Sequence, residues 1–210
     1  MKYIIMCGGD YHTDKPKQLF EINGEPIVKR TIRLLRENGI EDIAISSNDE
    51  RFEKLGVPCL RNGFNTFGNG GYWIDGFYPT KEPVCYLFGD VFFSPEAIKT
   101  IVETETKDIE FFASAPPFAK EYIKQWAEPF AFKVVAVDFF RMCIDTTRKL
   151  AIAGRFNRDP IAWELWQVIN LTPLNEIDYT NYVAINDYTT DFDNERELEL
   201  FKEKKWEEKA

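Results

Sequence analysis

The first fifty residues alternate between apolar runs and a helical pattern, and this alternation constrains the fold more than any other feature. The run "KYIIMC" at residues 2–7 predicts a buried strand that ends at Gly8-Gly9. After the turn "NGEP", residues 26–40 place apolar side chains at helical spacing. A second strand-like run, "EDIAISSN", occupies residues 41–48. Strand, helix and strand in this order form a βαβ unit, which requires a parallel sheet and a right-handed crossover.

The rest of the chain continues to alternate strands with helices. The most apolar run, "PVCYLFGDVFF" at residues 83–93, predicts a central strand covered on both faces. Ser94 and Pro95 then give a strong helix start. We expect an α/β protein, a three-layer α/β/α sandwich with a mostly parallel mixed sheet in one domain over residues 1–210. Further strands are predicted at residues 57–62, 108–117 and 130–140, and further helices at residues 160–170 and 194–210.

Charge and cysteine usage limit the classes of function. The net charge of -9 argues against a broad nucleic-acid or anionic-membrane surface, because both need excess cations. No apolar stretch is long enough for a signal peptide or a membrane span. We therefore expect a soluble cytoplasmic protein with no nucleic-acid or membrane partner. Its four cysteines form no C-x-x-C pair and are expected to be reduced core thiols: Cys7, Cys59, Cys85 and Cys143.

The loop after the first strand has the features of a phosphate site. Glycines let backbone N–H groups approach phosphate oxygens, and ligands of open α/β sheets lie at the carboxyl ends of the strands. Gly8-Gly9 alone is also compatible with an ordinary tight turn. Lys15 and Lys17 shift the balance, because two cations beside backbone amides suit a triphosphate. A solvated loop is the alternative for both lysines.

The order of three motifs resembles the nucleotidyltransferases that activate sugar and polyol phosphates. The first is "IIMCGGDYHTDKPKQLFEINGEPIVKRTIRLL", in which "PKQL" and "RTI" look most like the cytidylyltransferase branch. The second is the strand ending in Gly-Asp, "YLFGDVFFS". The third is the C-terminal Asp-x-Asp segment, "YTTDFDNERELELF". Residues 110–180 match this family only loosely.

The resemblance implies a fold and an activity. The fold is that of the nucleotide-diphospho-sugar transferases. The activity couples a nucleoside triphosphate, by branch CTP, to a phosphorylated sugar, polyol or other small alcohol and releases pyrophosphate. The product would serve capsule or cell-envelope assembly, and the implied cofactor is Mg²⁺.

The resemblance also implies which residues contact the phosphates. Lys17, the lysine of Pro-Lys, would offset charge at the α-phosphorus, and Lys15 is a weaker candidate. The family usually has an arginine earlier in this loop, and this sequence has none. His12, the sole histidine of the chain, is a candidate replacement near the β- and γ-phosphates, and an exposed loop histidine is the alternative.

Three aspartates are candidates for the two carboxylate ligands of the implied metal. Asp90 follows a buried strand, where a carboxylate is costly unless it binds something, and a turn or helix-capping aspartate is the alternative. Mg²⁺ prefers one or two carboxylates together with phosphate oxygens and water. Asp191 and Asp193 alternate and so face the same side of an extended segment. We favour Asp191 narrowly as the second ligand, and Asp193 is either the other candidate or a cap of the terminal helix.

Two glycine-bearing segments are the implied nucleotide site. The segment "FGNGGYWIDG" sits where the family recognises base and ribose, and a flexible surface loop is the alternative. The candidate nucleotide-binding residues are Cys7, Gly8, Gly9, Asn69, Gly70 and Gly71, with Asn65 as a further polar candidate.

The acceptor site rests on weaker signals. Glu128 and Lys133 flank a strand start, and Lys133 is a candidate for the acceptor's phosphate. Arg155 is a further candidate for an anionic acceptor, as is Arg158. The alternative for all four is a structural or surface role. Trp163 and Trp166 share one helical face, which is typical of core and also compatible with the seam of a homodimer.

Two other functions remain open at the level of sequence. A glycosyltransferase of the same fold would need a D-x-D after the buried strand, whereas "GDVFF" has a single aspartate. A non-catalytic nucleotide-binding protein would explain the short loop that lacks arginine.

Overall fold

A seven-stranded mixed sheet forms the centre of the molecule in the computed structural model, which describes residues 1–8, 15–62, 71–114 and 127–203. In chain order the strands are β1 (Lys2–Met6), β2 (Glu21–Ile22), β3 (Glu25–Pro26), β4 (Ile43–Ser46), β5 (Cys59–Leu60), β6 (Val84–Phe88), β7 (Val91–Phe92), β8 (Ile109–Ser114), β9 (Glu128–Val134), β10 (Val183–Ala184) and β11 (Thr190–Asp191). The helices are α1 (Ile27–Glu37), α2 (Pro95–Glu103), α3 (Val137–Ile152), α4 (Ala162–Asn170) and α5 (Glu195–Glu203). The sheet order is β10-β8-β9-β6-β1-β4-β5.

The predicted βαβ unit is confirmed. Strand β1 pairs in parallel with β4 on one side and with β6 on the other, so that Met6 lies opposite both Ser46 and Phe88. Helix α1 connects β1 to β4 and buries Val28, Ile32 and Leu35. Helix α1 packs on α2, and α3 packs on α4. The two pairs are the helical layers of the predicted three-layer sandwich.

The carboxyl ends of several strands lie at the same edge of the sheet, which we call the carboxyl edge. Strands β1, β4, β6 and β8 all end at this edge, whereas β9 runs antiparallel to β6 and to β8. The first residue of β9, Glu128, pairs with the last residue of β8, Ser114. Glu128 therefore lies at the carboxyl edge, while Lys133, opposite Cys85, lies towards the other end of the strands.

Two short antiparallel ribbons stand apart from the main sheet. In the β2–β3 ribbon, Asn23 and Gly24 both have positive φ, as the predicted "NG" turn requires. In the β7–β11 ribbon, Val91 pairs with Asp191 and Phe92 with Thr190. The second ribbon brings the C-terminal segment next to the end of β6.

The core formed by the described residues falls into two clusters. The larger cluster lies around the main sheet and includes Trp163 and Trp166, which pack against Phe111. Both tryptophans are thus core residues of a single chain. The smaller cluster, which we call the ribbon cluster, joins the two ribbons to α1 and α5; its buried members are Phe20, Ile22, Ile27, Phe92, Phe192, Leu198 and Phe201.

One predicted element is wrong. Residues 130–140 were expected to form one strand, but β9 begins at Glu128 and ends at Val134, and the 16-residue helix α3 begins at Val137. The carbonyl of Asp108 accepts hydrogen bonds from the amides of Val135 and Ala136, which turns the chain out of the sheet. The β-forming residues Val137 to Phe140 then enter the helix because Phe140, Cys143 and Thr147 bury one helical face.

The four cysteines all lie among the described residues, and no disulfide joins them. Within the described ranges, none of the helices has both the length and the apolar character needed to cross a membrane.

Candidate active site

Lys17 lies at the centre of the candidate site. It begins a one-turn 3₁₀ helix, Lys17–Leu19, directly after Pro16, and the next residue, Phe20, is anchored in the ribbon cluster. The Nζ atom of Lys17 lies 3.1 Å from Oδ2 of Asp90 and 3.5 Å from Oδ1 of Asp193. Lys17 of the loop and Asp90 of the Gly-Asp motif are therefore in contact, which the proposed phosphate and metal site requires.

The charges around Lys17 keep it protonated. Its burial alone would lower the pKa of the ammonium group. The charges of Asp90, Asp191 and Asp193, with a hydrogen bond to Asp90, outweigh that effect and raise the pKa to about 12. Lys17 is thus a fixed cation among three carboxylates. Lys15, by contrast, forms an exposed ion pair with Glu21, with 3.0 Å between Nζ and Oε1.

The position of Asp90 depends on the glycine before it. The amide of Gly89 donates to the carbonyl of Met6, which ties the end of β6 to the end of β1. A Cβ atom at Gly89 would lie 2.5 Å from that carbonyl oxygen and 2.6 Å from Sγ of Cys7. Only glycine lets the two strand ends come so close at this point.

We expect Gly89→Ala to destabilise the protein by about 2–3 kcal/mol, because a methyl group must displace backbone and the buried thiol of Cys7. Gly76→Ala is the matched control. Its Cβ would lie 3.3 Å from the flexible end of Met6, so it should cost about 1 kcal/mol or less. Urea unfolding of the two variants measures the difference, and equal midpoints would contradict this account.

The C-terminal aspartates are held by the β7–β11 ribbon and its surroundings. Phe192, between Asp191 and Asp193, is buried in the ribbon cluster with Phe92 and Phe201. At the other end of the segment, the hydroxyl of Ser94 donates to Asp187 and accepts from the amide of Ala97 at the start of α2. The carboxylates near Lys17 are therefore fixed by contacts on both sides.

Asn194, rather than Asp193, caps the terminal helix. The amide of Glu197 donates to Oδ1 of Asn194, while the amide of Asp193 donates to Oε2 of Glu197. The alternative role of Asp193 as a helix cap is therefore filled by its neighbour.

The donor set suits a hard cation. Within the described ranges, no group of three or more His, Cys, Asp or Glu side chains forms a metal cage by itself. Mg²⁺ needs no such cage, since one or two carboxylates and the phosphates of a substrate complete its coordination. The approach of Asp90 and Asp193 to the ammonium of Lys17 shows that these carboxylates already attract a cation. The residues present fit Mg²⁺.

The candidate nucleotide residues are only partly described. Gly9, His12, Asn65, Asn69 and Gly70 lie outside the described residues. Cys7 is fully buried and its amide donates to Ser46. Burial, with the nearby charge of Asp90, raises the pKa of the Cys7 thiol. Gly8 follows at the carboxyl edge, and Gly71 precedes Tyr72.

Asp75 forms hydrogen bonds with the segments on both sides of residues 63–70. Its backbone carbonyl accepts from the side-chain amide of Asn62, and its Oδ2 accepts from the backbone amide of Tyr72. Its Oδ1 accepts from two nitrogens of Arg148 on α3, at 2.9 and 2.5 Å. Sequence reasoning missed this residue, because Arg148, the partner of its carboxylate on α3, is 73 residues away in sequence. The one available signal was a lone acid in an aromatic segment.

The candidate acceptor residues are not brought together. Glu128 is buried at the carboxyl edge. Lys133 instead donates to the carbonyls of Ile101, Val102 and Thr104 at the end of α2, and its burial lowers its pKa. That arrangement caps α2, so we leave Lys133 out of the acceptor site. Arg155 is exposed just after α3, and Arg158 pairs with the buried Glu164.

Comparison with known proteins agrees with the class that this fold and cluster define, which is that of enzymes transferring a nucleotide. Residues 4–163 match the MobA-like NTP transferase domain. The chain belongs to this family, and the suspected resemblance is confirmed. The match ends before Asp191 and Asp193, so their place in the cluster rests on the structure. No curated protein matches the sequence.

Solved structures share the fold over nearly the whole chain. The CTP:phosphocholine cytidylyltransferase LicC from Streptococcus pneumoniae is 16% identical, with a TM-score of 0.56 over 96% of this chain and 97% of that one. The inositol-1-phosphate CTP transferase from T. maritima is 14% identical, with a TM-score of 0.55 over 95% and 93%. HddC from Yersinia pseudotuberculosis, complexed with GMP-PN, is 13% identical, with a TM-score of 0.55 over 97% and 98%. The predicted nucleotide-diphospho-sugar transferase fold is confirmed.

Proposed function

We propose that the chain is a Mg²⁺-dependent nucleotidyltransferase. It transfers a nucleotidyl group from a nucleoside triphosphate, with CTP preferred, to a phosphorylated sugar, polyol or other small alcohol. The observation that carries the proposal is the contact of Lys17 Nζ with Asp90 Oδ2 at 3.1 Å, at the carboxyl edge of the sheet. Open α/β sheets bind their ligands at this edge.

Membership of the family supports the nucleotidyl transfer reaction. The identity of the nucleotide base depends on more specific evidence. The "PKQL" motif resembles the cytidylyltransferase branch, and two structural neighbours are named for their use of CTP. A third neighbour is named for a complex with GMP-PN. CTP is therefore our preferred donor, and a panel of triphosphates is part of the test.

The proposed reaction is a single displacement. An oxygen of the acceptor's phosphate attacks the α-phosphorus, the bond to the oxygen bridging the α- and β-phosphorus breaks, and pyrophosphate leaves. Lys17 stays protonated throughout and binds the oxygens of the α-phosphate, where negative charge concentrates in the transition state. No covalent bond to the enzyme is needed, so positioning and charge supply most of the rate.

The carboxylates are the proposed ligands of Mg²⁺. Asp90 and Asp191 would hold it, because β7–β11 pairing fixes Asp191 opposite the neighbour of Asp90. Asp193 would orient Lys17, which it contacts. The metal would neutralise phosphate charge and fix the geometry of the triphosphate.

The remaining contacts of the proposed site follow the edge of the sheet. At the carboxyl edge, the backbone amide of Gly8 would face the phosphates, with Gly9 as a further candidate, whereas the amide of Cys7 already donates to the carbonyl of Ser46. Residues 69–71 are the proposed contacts of the base. Asp75 holds the chain on either side of that second segment. Glu128 is the proposed acceptor residue at this edge, with Arg155 as a second candidate. A homodimer stays a prediction.

Pyrophosphate release tests the function. The purified protein with Mg²⁺, each of the four ribonucleoside triphosphates and a panel of phosphorylated alcohols should release pyrophosphate only when a triphosphate and an acceptor are both present. CTP should give the highest kcat/KM. A thermal-shift assay with the same triphosphates reports binding separately, since a ligand of the native state raises Tm. If a triphosphate binds but no acceptor in the panel leads to release of pyrophosphate, the protein is better described as a non-catalytic nucleotide-binding protein.

A further inference from the structure

A cavity of about 390 Å³ lies between α3 and residues 74–80, and we call it the α3 pocket. Its volume is in the range of ordinary small-molecule sites. Its lining combines aromatic rings with two arginines of α3 and with two aspartates, Asp75 and Asp145, both of which pair with Arg148. The other lining residues that bear on binding are Phe77, Tyr86, Phe140, Arg141 and Ile144.

The α3 pocket is separate from the candidate active site. Tyr86, in its wall, lies within β6, whereas Asp90 lies in the turn that follows the end of β6 at Phe88. None of its lining residues belongs to the cluster around Lys17. A molecule in the α3 pocket would therefore be a second ligand rather than part of the proposed reaction.

Hydrogen bonds at its two ends hold the α3 pocket open. Arg141 donates to the carbonyl of Thr80 at 2.8 Å, and Arg148 donates twice to Asp75. These contacts attach α3 to the facing segment at points seven residues apart on the helix. The space between them is thus a preformed cavity, which lowers the cost of ordering the protein on binding.

The aromatic floor favours a flat ligand. Phe77 and Phe140 meet edge to face at 5.1 Å, and Tyr86 stacks on Phe140 at 5.9 Å. The hydroxyl of Tyr86 donates to the carbonyl of Tyr78, so the polar tip of this tyrosine is satisfied by the protein. These rings are packed on one another, and their accessible parts give the cavity an apolar aromatic wall against which a flat aromatic molecule can pack.

The two arginines differ in how far their charges are balanced. Arg148 is paired with Asp75 at 2.5 Å and with Asp145 at 2.7 Å. Arg141 has a looser ion pair, 3.9 Å from Asp138, whose side chain is 99% exposed. The positive charge of Arg141 is therefore the one most available to an anion in the α3 pocket.

We propose that the α3 pocket binds a small aromatic molecule that carries one negative charge. The ring system packs against the floor formed by Phe77 and Phe140 and against Ile144, and the anionic group pairs with the guanidinium of Arg141. This site is distinct from the one proposed for the triphosphate. An aromatic sulfonate has the chemistry of the proposed ligand and is a suitable probe.

Calorimetric titration with anilinonaphthalene sulfonate tests the proposal. The full chain should bind one equivalent, and saturating CTP with Mg²⁺ should leave this binding unchanged. Ile144→Trp, which fills the α3 pocket, and Arg141→Gln, which removes the charge, should each raise Kd about tenfold or more. The matched controls lie elsewhere on α3: Met142→Trp, at a side chain 56% exposed, and Lys149→Gln should bind as the wild type does.

The outcomes separate the possibilities. Loss of binding in Ile144→Trp and Arg141→Gln but not in their controls supports the site. Displacement of the probe by CTP would place it in the active site and overturn the proposal. Equal affinity of all four variants would also overturn it. Arg141→Gln changes an exposed side chain, so it stays informative if Ile144→Trp unfolds.

Discussion

Lys17→Ala is expected to lower kcat for pyrophosphate release by about 10³-fold, because the variant loses the cation that faces the α-phosphate. Burial lowers the pKa of Lys17, but the charges of its three carboxylates outweigh burial and raise the pKa to about 12. Its charge is therefore present throughout the range from pH 7 to 10. The loss in the variant should be the same across that range, measured from initial rates at saturating triphosphate.

Lys15→Ala is the matched control for this prediction. Lys15 is two residues away in the same segment, carries the same charge, and pairs with Glu21 while exposed. Its removal should change kcat less than about threefold, because Lys15 pairs with Glu21, whereas Asp90 and Asp193 pair with Lys17. Lys17→Arg should recover part of the rate, because it restores the charge but not the shape of the ammonium. Equal losses in Lys17→Ala and Lys15→Ala would contradict the assigned role.

The meeting of Lys17 and Asp90 was predictable only in part. The residue types and their order suggested both, since each follows a strand that the apolar pattern marks clearly. Their proximity depends on β6 lying beside β1, with Met6 opposite Phe88. Nothing in the local pattern decides which strand is the neighbour of which, because that choice depends on how the whole sheet packs.

The parts that were missed depend on distant contacts. Strands of two residues, such as β7 and β11, have no usable alternation, yet they bring Asp191 next to Val91. The start of α3 has β-forming residues, and it is helical because Phe140, Cys143 and Thr147 are buried along one face of the helix. Likewise, the capping role of Lys133 at α2 requires knowing that β9 runs antiparallel.

Asp90→Asn is expected to reduce activity about as far as Lys17→Ala, by about 10³-fold at the wild-type Mg²⁺ optimum. Asparagine keeps the size of the side chain and removes the charge. The fold should therefore survive, with a Tm close to that of the wild type. Retention of more than about a tenth of wild-type activity would argue against Asp90 as a metal ligand.

Asp191→Asn and Asp193→Asn separate metal binding from orientation of the lysine. Both residues act on the charge of Lys17, and they lie on the same side of one segment. If Asp191 holds Mg²⁺, its variant should raise the Mg²⁺ concentration for half-maximal rate about tenfold, whereas Asp193→Asn should raise it less than threefold. Asp193→Asn should instead lower kcat, because its carboxylate contacts Lys17 directly. The reverse pattern would make Asp193 the metal ligand, since the residue that binds the ion must control how much of it the reaction requires.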